Sequence, residues 1–256
     1  MLVSARSFDE YRAMFALSDH DLSLRVLDCP GGAASFVALA GARGTDAVAV
    51  DPQYGRDRDR LGTLVLREIE HKHAFLVENE SSFVWTWFGG VERYTRLRAQ
   101  AARTFAADLA ARPDRYVAGS LPDLPFADRS FDLVLSSHLL FSYGAQLDAA
   151  FHLSALLEMA RVARRQVRLF PVLLHTSDER YGPLERIREE LAGYGIPTRL
   201  ERVDYEFQRG GNEALVLDCS DHGALPRANP VGRPAAGSTD PVRWRHLGAG
   251  LARPSP

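Results

Sequence analysis

Apolar positions along this chain change period several times, and each change marks an element. Ser7-Phe8-Asp9-Glu10 has capping-box spacing and predicts an amphipathic helix running to about Leu17. Val26-Leu27 is a short apolar run that ends on Asp28. A Pro30-Gly31-Gly32 turn follows it, and then an apolar stretch of helical character from Ser35 to Ala42. Ala47–Val50 is a second β-type run, and it ends on Asp51. No strong strand signal returns until Arg115–Ala118. Two helical stretches fill the gap, about 57–78 and 91–111, parted by a loop holding Phe83, Trp85, Trp87, Phe88, Gly89 and Gly90. A parallel crossover takes about a dozen residues or more, so 52–114 is predicted to carry a helical insertion. Leu133–Leu135 reads as a strand, 147–164 as an amphipathic helix, and Gln166–Leu173 as a buried strand. Gly182-Pro183 opens a further helix that ends at Gly193. Two β-type runs then flank Gln208–Asn212, a hairpin signature.

Strands alternating with helices predict an α/β domain with a doubly wound, Rossmann-like sheet. The sheet should be mostly parallel, with helices on both faces and an antiparallel hairpin at its C-terminal end. This domain is expected to span 1–220, with 52–114 as a lid-like helical insertion. Residues 221–256 are rich in Pro, Gly, Ala and Arg without periodicity and predict a disordered tail.

Composition narrows the chemistry. With 256 residues, 46% of them apolar, the chain can bury a sizeable core as one domain. The formal net charge of −2 gives no reason to expect a polyanion, and no basic patch or RNA-binding module stands out. No apolar run reaches the roughly 18 residues that span a bilayer. The N-terminal MLVSARSFDEYR lacks a signal-peptide apolar segment, which reads as a cytoplasmic protein. Two cysteines, Cys29 and Cys219, do not make a disulfide framework. His71 and His73 are two apart, on different helix faces, and form no metal pair. Lys72 is the sole lysine, which forbids any mechanism needing two.

Candidate chemistry centres on Asp28 to Asp51. Strand, glycine turn, helix, strand and acid is the layout of a nucleotide-binding βαβ unit, and Asp51 follows Asp28 by 23 positions. The acid after the second strand can accept hydrogen bonds from a ribose diol. Pro30 removes one backbone amide from the turn, which a pyrophosphate would need and a phosphate-free nucleoside would not.

On these residues the chain resembles the class I methyltransferases that use S-adenosylmethionine (SAM). Their first motif is an acid followed by a Gly-rich turn, and Gly32 keeps its middle glycine, while Pro30 and Ala34 replace the others. A second match runs through Leu124-Pro125-Phe126, Asp128, Ser130-Phe131-Asp132 and Leu133-Val134-Leu135. Ser120 stands where that family usually has an aspartate for the adenine amino group. The resemblance implies SAM as cosubstrate or sole substrate, no metal, and a cofactor site at Asp28, Pro30, Gly31, Gly32, Asp51, Ser120, Leu121 and Ser137. It also places the reacting end just beyond the fourth strand. His138 is there as a candidate base, Phe141, Tyr143 and Tyr181 as aromatic walls for a sulfonium, and Gln146 as a group to orient the amine or carboxylate.

No Asn/Asp-Pro-Pro-Tyr/Phe follows the fourth strand, so a nucleobase amine is not the expected acceptor, and a small molecule fits best. Three functions remain open. The first is methyl transfer to a small metabolite. The second is intramolecular cyclisation of SAM with release of methylthioadenosine, since segments around 138–146, 165–173 and 205–212 loosely resemble azetidine-2-carboxylate synthases. The third is SAM binding without catalysis. The aromatic loop likewise has two readings, a hydrophobic cluster that pins the insertion or a lid over a cation.

Overall fold

The computed structural model describes residues 4–56, 58–175 and 178–226, so nearly all of the expected tail lies outside the described residues. A seven-stranded sheet is built from β1 (Val26–Asp28), β2 (Ala47–Val50), β3 (Tyr116–Val117), β4 (Phe131–Ser137), β5 (Ala163–Phe170), β6 (Thr198–Arg202) and β7 (Glu213–Asp218). The spatial order is β3-β2-β1-β4-β5-β7-β6. The first five strands are parallel, with Leu27 opposite Val48 and Val134. β7 then runs antiparallel to both β5 and β6, and its pair with β6 is the hairpin that the sequence predicts.

Parallel strands covered on both faces must be apolar on both. Val26, Leu133 and Leu135 point into one core, while Leu27, Val134 and Val167 point into the other, following the two-residue period of a strand. Helices α1 (Phe8–Met14), α2 (Phe36–Gly41), α3 (Arg58–Glu78) and α4 (Val91–Ala111) precede β3, and α5 (Ala149–Val162) and α6 (Leu184–Gly193) follow β4. The first core takes up α1, α2 and α4; the second takes up α5 and α6.

The insertion divides differently from its sequence reading. Phe105 of α4 lies against Tyr54 and Tyr116 at ring separations of 6.0 and 5.5 Å, and Arg112 beyond it donates to the Ala38 carbonyl. α4 therefore occupies the place of the ordinary crossover helix, and α3 with the aromatic loop is the added part. That loop is pinned to the connection between β6 and β7. Phe83 stacks on Phe207 at 4.7 Å, and the Val84 amide donates to the Phe207 carbonyl at 2.9 Å. Phe88, Tyr94 and Tyr205 are buried beneath it. The cluster thus joins the added helix to the C-terminal half of the sheet.

The Leu124-Pro125-Phe126 turn is held from α5. The Glu158 carboxylate accepts the Leu124 amide at 2.7 Å, and the Arg161 guanidinium donates to Glu158, to the Phe126 carbonyl and to Asp128. Gly119 makes the close approach possible, because a Cβ there would lie 2.8 Å from Pro125 and 2.9 Å from Val50. Arg161 and Glu158 are both buried, so removing one leaves the other without its counter-charge. Arg161→Met should cost about 3–5 kcal/mol in urea unfolding, with part of the loss recovered when Glu158→Gln is added. A loss under about 1 kcal/mol would show that the turn holds without this pair.

Candidate SAM site at the carboxyl edge of the sheet

β1 and β4 are neighbours whose chain connections leave in opposite directions, the switch point outside whose carboxyl ends doubly wound sheets bind their ligands. Asp28 and Asp51 both lie at this edge, one at the end of β1 and one just past β2. The Asp51 carboxylate accepts the Gly32 amide at 3.1 Å and the Gln53 amide at 2.8 Å, so it caps a short 3-10 turn and ties down the glycine turn together. Tyr54 on that 3-10 turn donates its hydroxyl back to the Gly32 carbonyl at 2.8 Å. Gly32 has φ +54°, a left-handed conformation that glycine takes without strain. Gly31 is required for space, because a Cβ there would meet the Tyr54 hydroxyl at 2.5 Å and the Ala49 methyl at 2.7 Å.

The amides of the turn are committed within the protein. Gly31 donates to Val50, Gly32 to Asp51, Ala33 to Ser4 and Ser35 to Arg6. They form no concave array of free donors of the kind that cradles a phosphate. The expectation drawn from Pro30 therefore has a broader basis, since the neighbouring amides are used as well.

Asp28 is buried at 1% exposure, and both its oxygens accept from the Tyr11 hydroxyl, at 3.0 and 3.1 Å. Burial pushes its pKa well above the usual carboxylate range, against the Tyr11 bond, and the charge of Asp51 adds to the rise. Burial also raises Asp51, which its two amide bonds partly offset. Around this pair lies a second polar group: Glu10 accepts from Arg98 at 2.7 Å, from the Tyr205 hydroxyl at 3.1 Å and from the Ser7 amide at 2.9 Å. α1, α4 and the β6–β7 connection thus meet over the end of β1.

The other expected residues are placed as follows. Ser120 is exposed and bridges to Asp123 in a tight turn, with Leu121 half-buried beside it. Ser137 Oγ lies 2.9 Å from Nδ1 of His138, whose ring meets Phe170 edge-on at 5.5 Å. His138 has φ +52°, uncommon for a residue with a side chain, and its amide donates to the Phe170 carbonyl. Phe141 and Tyr181, expected as aromatic walls for a sulfonium, are both core residues. The Tyr181 ring stacks on buried His152 at 4.7 Å, and Phe141 stacks on the same imidazole at 6.1 Å. Residues on loops at the correct edge were thus drawn inward, because large rings gain more by packing than by facing water. Tyr143 lies parallel to His175 at 6.0 Å, and Gln146 is exposed.

Sequence reading missed Tyr11, Tyr54, Arg98 and Tyr205. The signal for Tyr11 was available: it shares an inward stripe with Phe8, Met14 and Phe15, where a phenol needs a hydrogen-bond partner. Arg98 and Tyr205 have no such signal, since they lie 88 and 195 positions from Glu10.

Residues 89–170, from the end of the aromatic loop to the end of β5, match a protein family described as a methyltransferase domain. The match covers 82 of the 256 residues. The uncharacterized protein MJ0045 of Methanocaldococcus jannaschii is 28% identical over 213 residues, 83% of this chain and 93% of its own. Among solved structures, magnesium protoporphyrin IX methyltransferase of Synechocystis PCC 6803 with bound SAM overlaps at TM-score 0.44 and 14% identity, covering 82% of this chain and 77% of its own. The 1,6-didemethyltoxoflavin-N1-methyltransferase of Burkholderia thailandensis overlaps at 0.42 and 16%, covering 82% and 75%.

The buried acid sets a pH dependence. Because the folded-state pKa of Asp28 is raised, its favourable contribution is complete below the unfolded-state value and is lost as pH rises through the folded value. Asp28→Asn, which still accepts from Tyr11, should therefore gain stability relative to wild type between pH 4 and pH 7 in urea unfolding. A difference that stays constant over this range would show that Asp28 titrates normally.

Proposed function

We propose that this chain is a SAM-dependent enzyme that transfers a methyl group to a small molecule. The observation that carries the reading is the Asp51 carboxylate, buried at the end of β2 beside a turn whose amides are already bonded. Such a site suits a ligand with a ribose diol and no phosphate. Each Asp51 oxygen accepts one amide and keeps a second lone pair for a hydroxyl. In this reading Asp28, Pro30, Gly31 and Gly32 border the amino-acid end of the ligand, Ser120 and Leu121 border the adenine, and Ser137 and His138 border the reacting end. SAM supplies an activated methyl on its sulfonium, and the protein's work is alignment and proton removal. His138 is the base for an alcohol or phenol acceptor.

The cyclase reading keeps the same ligand and needs no acceptor. It is supported by the rings near the β4 loop, His138 edge-on to Phe170 and Tyr143 parallel to His175, and not by Phe141 and Tyr181, which are packed in the core. Product analysis separates the readings. Incubation with SAM alone should leave it intact until an acceptor is added, when S-adenosylhomocysteine forms. Methylthioadenosine from SAM alone would replace methyl transfer by cyclisation, and neither product under any acceptor tried would favour a binding protein.

Asp51→Ala should weaken SAM binding by about 1.5–3 kcal/mol, the range for hydrogen bonds to a charged group. Calorimetry showing equal affinity with the fold intact would remove Asp51 from the site. His138→Ala should lower methyl transfer to a hydroxyl acceptor by about 10²–10⁴. If Tyr143→Ala instead costs far more turnover than SAM affinity while His138→Ala behaves as wild type, the cyclase reading gains.

A further inference from the structure

His152 is a fully buried histidine that the proposed chemistry does not use. It lies near the start of α5, and both nitrogens of its ring face backbone carbonyl oxygens. Nδ1 is 2.8 Å from the Asp148 carbonyl, and Nε2 is 3.0 Å from the Leu140 carbonyl. A carbonyl oxygen only accepts, so each of these contacts needs an N–H on the ring. Neutral imidazole carries one N–H, whichever tautomer it takes, and would leave a lone pair against the other oxygen. Two acceptors in contact inside a dry core repel one another. Only the imidazolium satisfies both contacts.

The surroundings accommodate that cation without fixing it permanently. The Tyr181 ring lies parallel to the imidazole at 4.7 Å and presents a face that attracts positive charge. Phe141 packs against the same ring at 6.1 Å. The Asp148 carboxylate caps α5 through the Phe151 amide at 2.7 Å, one turn before His152. The positive end of the helix acts in the opposite sense, against a cation at this position. Burial, and then the Asp148 charge, push the Tyr181 phenol above its ordinary value, so Tyr181 stays neutral where histidines titrate. The other titratable groups at the loop before α5 are His138, which begins it, and His175, parallel to Tyr143 at 6.0 Å.

The Leu140 contact fastens α5 to the loop from His138 to Asp148. Within that loop the Gly144 amide donates to Phe141 at 3.0 Å, and the Gln146 and Leu147 amides donate to Tyr143 at 2.9 and 3.0 Å. The loop is also tied to the body through the His138 amide on Phe170 and the Ser142 carbonyl under His175. We infer that His152 is a proton-operated latch, which fastens this loop to α5 as the imidazolium and releases Leu140 when Nε2 gives its proton to solvent. Nδ1–H then keeps the Asp148 carbonyl, which belongs to its own helical turn. The loop is therefore fastened at lower pH and loosens as pH rises through the titration of His152. The latch does not depend on the SAM reading, but the loop carries His138 and Tyr143, so the same proton governs the order of the segment assigned to the reacting end.

The test is NMR on the unliganded full chain, titrated from about pH 5 to about pH 9, the range that spans histidine ionisation. Long-range proton–nitrogen spectra should show both ring nitrogens of His152 protonated at the acid end and Nδ1 alone at the alkaline end. Hydrogen-exchange protection of the Gly144 and Leu147 amides, corrected for intrinsic rates, should fall by about tenfold or more over the same titration, the loss of one charge-assisted bond. His152→Gln, which does not titrate, should make that protection independent of pH. A His152 ring with a single N–H at every pH would overturn the inference. A ring that keeps both protons throughout, or one that titrates with no change in protection, would overturn it too. A pH response that persists in His152→Gln would belong to His138 or His175 and would remove the latch. If His152→Gln does not fold, the ring nitrogens and loop protection of wild type decide alone. No ligand enters these measurements, so their failure leaves the SAM reading as it stands.

Discussion

The bond from the Gly32 amide to the Asp51 carboxylate is the constraint on which the rest of the site depends. It fixes the turn after β1 against the end of β2, and it works only because glycine takes the left-handed conformation at position 32. The same carboxylate starts the 3-10 turn through Gln53, which brings Tyr54 over the glycine turn to close it from the other side. One acid thus organises two turns. A carboxylate placed in this way for structural reasons is also where a ribose diol would be recognised, so the fold and the proposed ligand share one group.

The N-terminal helix is the second part of the arrangement. α1 lies over the end of β1 with Tyr11 on Asp28 and Glu10 on Arg98 and Tyr205, so three distant segments converge on one buried polar layer. Polar layers of this kind are costly when incomplete, and this one is complete apart from the Nε groups of Arg6 and Arg98. Arg98 has its carboxylate, and the Arg6 charge acts on Asp28 and Glu10 beside it.

Much of the frame was legible in the sequence, because local patterns determine it. The alternation of apolar strands and helices, the acids at Asp28 and Asp51, and the hairpin signature at Gln208–Asn212 are short-range signals, and chain rules narrow the sheet to a doubly wound, mostly parallel one without fixing its strand order. What could not be read is what long-range packing decides. Phe141 and Tyr181 lie on loops at the ligand edge, yet His152 from α5 draws both rings into the core. The spacing of strand signals groups α4 with the insertion, whereas Phe105 packs it on Tyr54 and Tyr116 in the place of a crossover helix. The partners of Glu10 are separated from it by most of the chain, and no periodicity records such a pairing.

The most direct measurement is a crystal structure of the protein with S-adenosylhomocysteine bound. The expected result is a ribose diol within hydrogen-bond distance of the Asp51 carboxylate, the adenine beside Ser120 and Leu121, and the amino-acid end beside the glycine turn. A ligand whose ribose lies away from Asp51, or which binds elsewhere on the chain, would contradict the assignment of this edge as the SAM site.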